Sequence, residues 1–130
     1  MEEFARTAVM AVLQHEDQNN TEATVLGLSG ELGAGKTTFV QSLAQVLGVR
    51  ESVTSPTFVI ARFYSLQNHP RFSQIVHIDA YRIEEEKELV PIGREKIIAD
   101  PKSFVVVEWP EKIAGRIPKN ALQCKFEVVD

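Results

Sequence analysis

Apolar residues recur at helical spacing in two stretches of the chain. The first stretch, Glu2–Gln14, carries Phe4, Ala8, Val9, Val12 and Leu13. The second begins at about Gly35 and carries Phe39, Val40, Leu43, Ala44 and Leu47. Because side chains three and four positions apart share one face of a helix, both stretches predict amphipathic helices. Gly48 follows the second stretch, where a helix C-cap belongs.

Shorter apolar runs rich in β-branched and aromatic residues predict strands. They are Ala23–Ser29, Phe58–Tyr64, Gln74–Asp79, Phe104–Glu108 and the alternating run Leu122–Val129. A turn at residues 68–70 joins the second and third runs, which predicts an antiparallel hairpin. Residues 83–98 predict a helix broken near Pro91 and Gly93, and residues 110–118 a loop or short helix. This order predicts a three-layer α/β sheet with antiparallel additions.

Composition and charge narrow the class of protein. A chain of 130 residues with 44% hydrophobic residues is expected to form one domain over residues 1–130. The formal net charge is −4, and the sequence has no basic stripe of the kind that binds nucleic acid directly. The single cysteine, Cys124, excludes an intramolecular disulfide and a cysteine-cluster metal site. No apolar run reaches membrane-spanning length and the N-terminus is too polar for a signal peptide, so we expect a cytoplasmic protein with no membrane partner.

The segment Gly30–Thr37 matches the phosphate-binding P-loop pattern G-x-x-x-x-G-K-T. It lies between a predicted strand and a predicted helix, which is the context that this motif requires. Backbone N–H groups of such a loop form a nest for phosphate oxygens, at the positive end of the helix dipole. Lys36 supplies a charge for the β- and γ-phosphates, and the Thr37 hydroxyl can ligate Mg²⁺. The segment therefore predicts a nucleotide-binding site.

Hydrolysis of a nucleotide also needs a carboxylate, and two candidates end apolar strands. Asp79 ends the run 75–78, and Glu108 ends the run 104–107. An apolar strand followed by a carboxylate is typical of a Walker B arrangement, because catalytic groups lie at the carboxyl ends of parallel strands. The alternative for either residue is a carboxylate that only caps a loop.

Four further features allow two interpretations each. The segment Val53–Phe58 either contacts Mg²⁺ or the γ-phosphate through its hydroxyls or is only a turn before a strand. Trp109 is a core or interface residue, or else stacks on a base or packs a switch. His77 alternates with Asp79 and is more often a structural histidine than a base. Arg82 either stabilises phosphate charge or pairs with the acidic run that begins at Glu84.

Six short motifs occur in an order that resembles one protein family. They are L-G-A-G-K-T-T-F (Leu32–Phe39), S-P-T-F (Ser55–Phe58), H-I-D-A-Y-R (His77–Arg82), E-L (Glu88 and Leu89), I-G (Ile92 and Gly93) and V-E-W-P-E (Val107–Glu111). Together they resemble the TsaE family, formerly YjeE, of small bacterial P-loop ATPases in tRNA threonylcarbamoyladenosine biosynthesis. The resemblance extends over about residues 23–118.

The resemblance implies a fold, an activity and partners. The fold would be a P-loop sheet, mainly parallel with flanking antiparallel strands. The protein would bind ATP with Mg²⁺ and hydrolyse it slowly. Its partners would be TsaD and TsaB, which transfer the threonylcarbamoyl group to tRNA, so that it meets tRNA only indirectly through the complex.

The resemblance also implies roles for individual residues. The phosphates would be cradled by residues of the P-loop, namely Gly33, Ala34, Gly35, Lys36, Thr37 and Thr38. Thr37 would ligate Mg²⁺, and Asp79 and Glu108 would act at the Mg²⁺ and the water. Lys36 would be the third catalytic residue. Ser55–Phe58, which includes Thr57, would be a nucleotide-responsive switch. Trp109 would lie by the nucleotide or at the partner surface.

Two other functions remain open beside a partner-coupled ATPase. A small P-loop metabolite kinase needs an acceptor pocket and commonly an arginine-rich lid, and no compact basic segment follows Arg82. A nucleotide-dependent binding module would differ from the ATPase only in its rate of hydrolysis. A GTPase is disfavoured because the sequence has no N-K-x-D segment for reading guanine.

Overall fold

Eight elements make up the described part of the chain. The computed structural model describes residues 2–14, 22–30, 35–49, 61–67, 69–81, 83, 97–118 and 121–126. The elements are α1 (Glu2–Gln14), β1 (Thr24–Gly30), α2 (Lys36–Leu47), β2 (Ala61–Ser65), β3 (Gln74–Asp79), β4 (Ser103–Glu108), a kinked 3-10 helix (Pro110–Arg116) and β5 (Leu122–Phe126). The predictions for Gly33, Ala34, Ser55–Phe58, Arg82 and residues 84–96 lie outside the described residues.

The five strands form one sheet in the order β2-β3-β4-β1-β5. Strands β3, β4, β1 and β5 are parallel, and β2 pairs with β3 in the predicted antiparallel hairpin. The prediction of a mainly parallel sheet is confirmed. Among the described strands the antiparallel addition is β2, because β5 runs parallel to β1. The carboxyl ends of β1, β3 and β4 consequently share the edge at which α2 begins.

Apolar side chains fill both faces of the sheet, which explains why its central strands are apolar throughout. One face is packed with Ala5 and Val9 of α1 and Phe39 and Leu43 of α2. On that face lie alternate strand residues, namely Leu26, Leu28, Ile75, Phe104 and Val106. The other face carries the intervening strand residues, namely Val25, Val76, Ile78, Val105 and Val107. These residues pack with Ile83, Ile97 and Ile113 from the connections between the strands. The three predicted layers are therefore present.

Helix α2 ends at the predicted glycine. Gly48 has φ 97° and lies in the left-handed region, which favours glycine. Its N–H donates to the Gln45 carbonyl at 3.1 Å, and the Val49 N–H donates to the Ala44 carbonyl at 2.9 Å. These two bonds are those of a Schellman motif, and the buried Val49 side chain closes it on the core. No helix in the described ranges is long and apolar enough to cross a membrane.

His69 organises the turn between β2 and β3. This turn lies at one edge of the sheet, and β4 ends at the opposite edge. The Nδ1 atom of His69 accepts the Arg71 N–H at 3.1 Å and the Phe72 N–H at 3.0 Å. Its ring stacks on Phe72 with centroids 5.4 Å apart. Burial, with a further contribution from the Arg71 charge, lowers the pKa of His69. A neutral ring is therefore the form that supports this turn.

We expect the protein to lose stability on acidification because a protonated His69 cannot accept these two bonds. The pKa of His69 is lower in the folded protein than in the unfolded chain, where it is about 6.5. The stabilisation that His69 provides is therefore fully present above pH 6.5 and is lost as the pH falls through the folded-state pKa. The free energy of unfolding in urea, measured at pH 7.5 and 5.5, should fall more for the parent than for His69→Asn. The Asn oxygen can accept both N–H groups at either pH.

His69→Ala provides the complementary measurement at pH 7.5. Losing both acceptor contacts should lower the free energy of unfolding by about 1–2 kcal/mol. Equal pH dependence in the parent and in His69→Asn would contradict the assignment.

Candidate nucleotide-binding site

The carboxyl edge of the sheet brings together the end of β1 and the start of α2. Strand β1 ends at Gly30, and α2 begins at Lys36 after Gly35, whose φ of 95° lies in the left-handed region. Gly35 is the N-cap residue and, as a glycine, makes no side-chain capping bond. The N–H groups of the first turn have no partners within the helix, so they are suited to bind an anion. Thr37, half-buried, and Thr38, exposed, lie in this turn.

Lys36 is a buried ammonium held by two contacts. Its Nζ donates to the Gly30 carbonyl at 2.7 Å and lies 3.6 Å from the centroid of the Trp109 ring. The residue is 4% exposed. Burial lowers the pKa of Lys36, and the carboxylates of Glu108, Glu111 and Asp79 oppose that shift. The cation is thus placed between a carbonyl, an aromatic face and nearby negative charge.

The two predicted carboxylates are directly opposite each other. Asp79 pairs with Glu108 in the parallel register of β3 and β4, and both lie at the carboxyl end of their strands. The Asp79 Oδ1 accepts the Tyr81 N–H at 3.0 Å. Burial raises the pKa of Asp79; the bond from Tyr81 lowers it and the charge of Glu108 raises it further. Two adjacent carboxylates facing a lysine are suited to hold a divalent cation or its waters.

The backbone turns sharply at Trp109, where β4 ends. Its φ is 61°, a left-handed conformation that costs a non-glycine residue about 1–2 kcal/mol. Its N–H donates to the Leu28 carbonyl at 3.1 Å, which ties it to β1. Its ring lies 5.1 Å from the Tyr81 ring and beneath the Lys36 ammonium. The ring therefore lies against the Lys36 ammonium.

The structure thus brings Lys36, Asp79, Glu108 and Trp109 to one edge, and places Gly35, Thr37 and Thr38 at the adjoining helix end. Gly33, Ala34 and Thr57 lie outside the described residues. The oxygens of Thr37, Asp79 and Glu108 are hard ligands, which suit Mg²⁺. In the described part of the chain no three His, Cys, Asp or Glu side chains form a metal-binding group. The residues still fit MgATP, because Mg²⁺ keeps several waters and takes substrate phosphates as ligands.

His77 is the site residue whose importance the sequence did not reveal. Its Nε2 lies 2.6 Å from Oε2 of Glu108, and both side chains are buried. The period-two alternation with Asp79 indicated the correct face of the strand. It did not indicate the contact, because that depends on the register between β3 and β4.

We expect Trp109 emission to report on nucleotide binding. Phosphates that attract the Lys36 ammonium should draw it from the Trp109 ring, and Trp109 is the single tryptophan of the chain. Titration with MgATP should therefore change the emission of the parent. Lys36→Met, which has no ammonium to move, is the control and should show little change. A flat signal from a parent that binds ATP by calorimetry would contradict the prediction.

A family model and several named relatives match this chain. The model of the family described as "Threonylcarbamoyl adenosine biosynthesis protein TsaE" matches residues 2–130. A tRNA threonylcarbamoyladenosine biosynthesis protein TsaE from Streptomyces coelicolor is 43% identical over 102 residues, covering 77% of this chain and 66% of that protein. This chain therefore spans slightly less than two thirds of that relative.

Two further comparisons bear on the family and the fold. A protein of the same name from Treponema pallidum is 34% identical over 108 residues, covering 83% of this chain and 76% of that protein. The crystal structure of Bacillus subtilis YdiB has a similar fold, with a TM-score of 0.68 at 24% identity over 100% of this chain and 74% of that chain. Because the family model matches almost the whole chain and these relatives agree with it, the chain belongs to the TsaE family.

Proposed function

We propose that this chain is an ATP-binding and ATP-hydrolysing subunit that supports the threonylcarbamoyladenosine modification of tRNA. The observation that carries the proposal is the cluster of Lys36, Asp79 and Glu108 beside the start of α2. Membership of the TsaE family supports the pathway, since the relatives are named for that biosynthesis. A cytoplasmic location and a single domain over residues 1–130 are part of the proposal.

Binding of ATP would use charge that is already in place. The Lys36 ammonium would exchange the Gly30 carbonyl for phosphate oxygens, while the first-turn N–H groups of α2 bind the same phosphates. Thr37, Asp79 and Glu108 would hold Mg²⁺ or its waters, and the metal would neutralise the developing phosphate charge. Gly33 and Ala34 of the loop and Thr57 of the second segment are proposed to complete the nucleotide contacts.

Hydrolysis would depend on a carboxylate at the end of β4. Glu108 is almost fully buried, which strengthens its electrostatic action on a water placed between it and the γ-phosphate. In this proposal Glu108 orients that water and accepts its proton, and Asp79 acts at the metal. Trp109 covers the Lys36 side of the site and limits the access of bulk water.

The partners of the proposed ATPase are TsaD and TsaB, and tRNA would be reached only through them. A net charge of −4 supports this arrangement because direct binding of RNA favours a basic surface. Turnover of ATP would then serve the complex, while the threonylcarbamoyl transfer itself belongs to the partners.

Removal of the Lys36 charge should weaken ATP binding about 10- to 100-fold, the loss expected for bonds to charged groups. Lys36→Met keeps the length of the side chain, so the change removes charge with little change of volume. Calorimetric titration with MgATP measures the dissociation constant. Lys102→Met is the matched control, since Lys102 is exposed beside the opposite end of β4. Unchanged affinity in Lys36→Met would contradict the phosphate site.

Glu108→Gln should lower the rate of phosphate release from MgATP about 100-fold, as expected for loss of a general base. Its affinity for ATP should stay close to that of the parent, because Lys36 and the helix N–H groups remain. The rates are measured with and without the TsaB–TsaD pair, and Glu22→Gln is the control, since Glu22 is exposed just before β1 at the opposite edge of the sheet.

The parent should release phosphate slowly alone and faster with the pair. Equal rates for Glu108→Gln and the parent would remove Glu108 from the mechanism. ATP consumption that yields a phosphorylated metabolite, without free phosphate, would favour the kinase alternative.

A further inference from the structure

His77 is a buried ionisable side chain for which the proposed function assigns no role. It is 0% exposed and lies on the sheet face that α2 covers, between residues of two neighbouring strands. Its partner in register on β4 is Val106, which is also fully buried. An aliphatic side chain would pack here without the cost of burying an imidazole. Packing therefore does not by itself account for a histidine at this position.

The polar contact of His77 is with the carboxylate proposed to activate water. Nε2 of His77 lies 2.6 Å from Oε2 of Glu108, within hydrogen-bonding reach. The register of β3 against β4 explains this contact. Asp79 is opposite Glu108, so His77, two residues earlier, is the diagonal neighbour of Glu108 on the same face. A contact built into the sheet in this way has little freedom to vary.

The second ring nitrogen identifies which atom carries the hydrogen. Nδ1 of His77 is buried and has no hydrogen-bond partner among the residues that the structure describes. Among those residues a hydrogen on Nδ1 would find no acceptor, and a buried donor without an acceptor is costly. A hydrogen on Nε2 instead donates to the Glu108 carboxylate. The ring therefore presents one donor to one oxygen of Glu108.

Glu108 needs such a restraint because a competing partner is close. The charge of Glu108 acts on Lys36, and a glutamate side chain has three torsions through which it can reorient. A direct ion pair between the two would withdraw the ammonium from phosphate and the carboxylate from water. In the structure each group is held by its own partners: Lys36 by the Gly30 carbonyl and the Trp109 ring, and Glu108 by His77.

We propose that His77 is a positioning residue that holds Oε2 of Glu108 and thereby keeps the carboxylate turned toward the attacking water and away from Lys36. This inference rests on the proposed function, namely that the site hydrolyses ATP. His77 itself touches neither phosphate nor water in this scheme. It acts through Glu108, as outer partners of ligating and catalytic groups commonly do.

Two amide substitutions provide a matched test. The amide nitrogen of Gln lies about as far from the backbone as Nε2, whereas that of Asn reaches only the position of Nδ1. His77→Asn should lower kcat for MgATP hydrolysis about 10- to 100-fold. His77→Gln should retain most of the activity. The dissociation constant for MgATP, measured by calorimetry on the full chain, should change by no more than about twofold in both.

His77→Leu removes the donor and keeps an apolar side chain in the core. It should reduce kcat as His77→Asn does, and combining it with Glu108→Gln should add little to the loss caused by Glu108→Gln alone. Thermal unfolding of each variant checks that it folds. If His77→Leu does not fold, the comparison of His77→Gln with His77→Asn decides the question.

Three results with the variants would overturn the proposal. They are parental kcat in His77→Asn, equal losses in His77→Asn and His77→Gln, and losses of kcat and MgATP affinity of the same size. A parent that hydrolyses no ATP, alone or with TsaB and TsaD, would overturn the proposed function and this role with it. A hydrolysing parent and a fully active His77→Asn would overturn this role alone.

A spectroscopic measurement tests the pairing without any turnover. Long-range nitrogen-15 spectra of the histidine-labelled protein should show His77 as the Nε2–H form, with a proton protected from exchange. Glu108→Leu should abolish that protection and leave the signal of His69 unchanged. A His77 signal that is the same in the parent and in Glu108→Leu would contradict the hydrogen bond on which the proposal depends.

Discussion

The burial of Glu108 is the constraint on which the carboxyl edge of the sheet depends. A carboxylate that is 4% exposed lies beside a lysine that is also 4% exposed and a histidine that is fully buried. Removing unpaired charges from water costs several kcal/mol for each ion, so every group here needs a partner. His77 supplies one for Glu108, while the Gly30 carbonyl and the Trp109 ring supply two for Lys36. Hydrophobic residues of similar size would pack at lower cost, and the polar cluster is therefore best explained by the chemistry it allows.

Much of the fold could be predicted from local pattern. The helical spacing in α1 and α2, the glycine that ends α2 and the bounds of β3 all agree with the structure. These features depend on interactions within a few residues, and such interactions leave periodic or single-residue signals in a sequence. The positions of Lys36, Asp79 and Glu108 were predictable for the same reason, because each lies at the end of a strand or the start of a helix.

Other features depend on pairing between distant segments, and local sequence patterns could not predict them. Alternation in residues 122–129 predicts a strand but does not determine whether it runs parallel or antiparallel to its neighbour, and β5 is parallel to β1. The contact between His77 and Glu108 likewise requires the register of β3 against β4. The left-handed turn at Trp109 has no local signature either, since tryptophan rarely adopts it. The geometry of the site therefore comes from the sheet as a whole.

Strand β1, which leads into the P-loop, lies between two strands that come much later in the chain. It pairs with β4 on one side and with β5 on the other. During synthesis on a ribosome, β1 leaves the exit tunnel long before either neighbour, and its apolar residues have no sheet to join at that time. Contacts of such large sequence separation form slowly because a long loop must close first. We therefore expect the end of the sheet at which β1 meets α2 to be assembled among the last parts of the fold. A nascent chain that lacks β5 would carry the complete P-loop motif on an unfinished sheet.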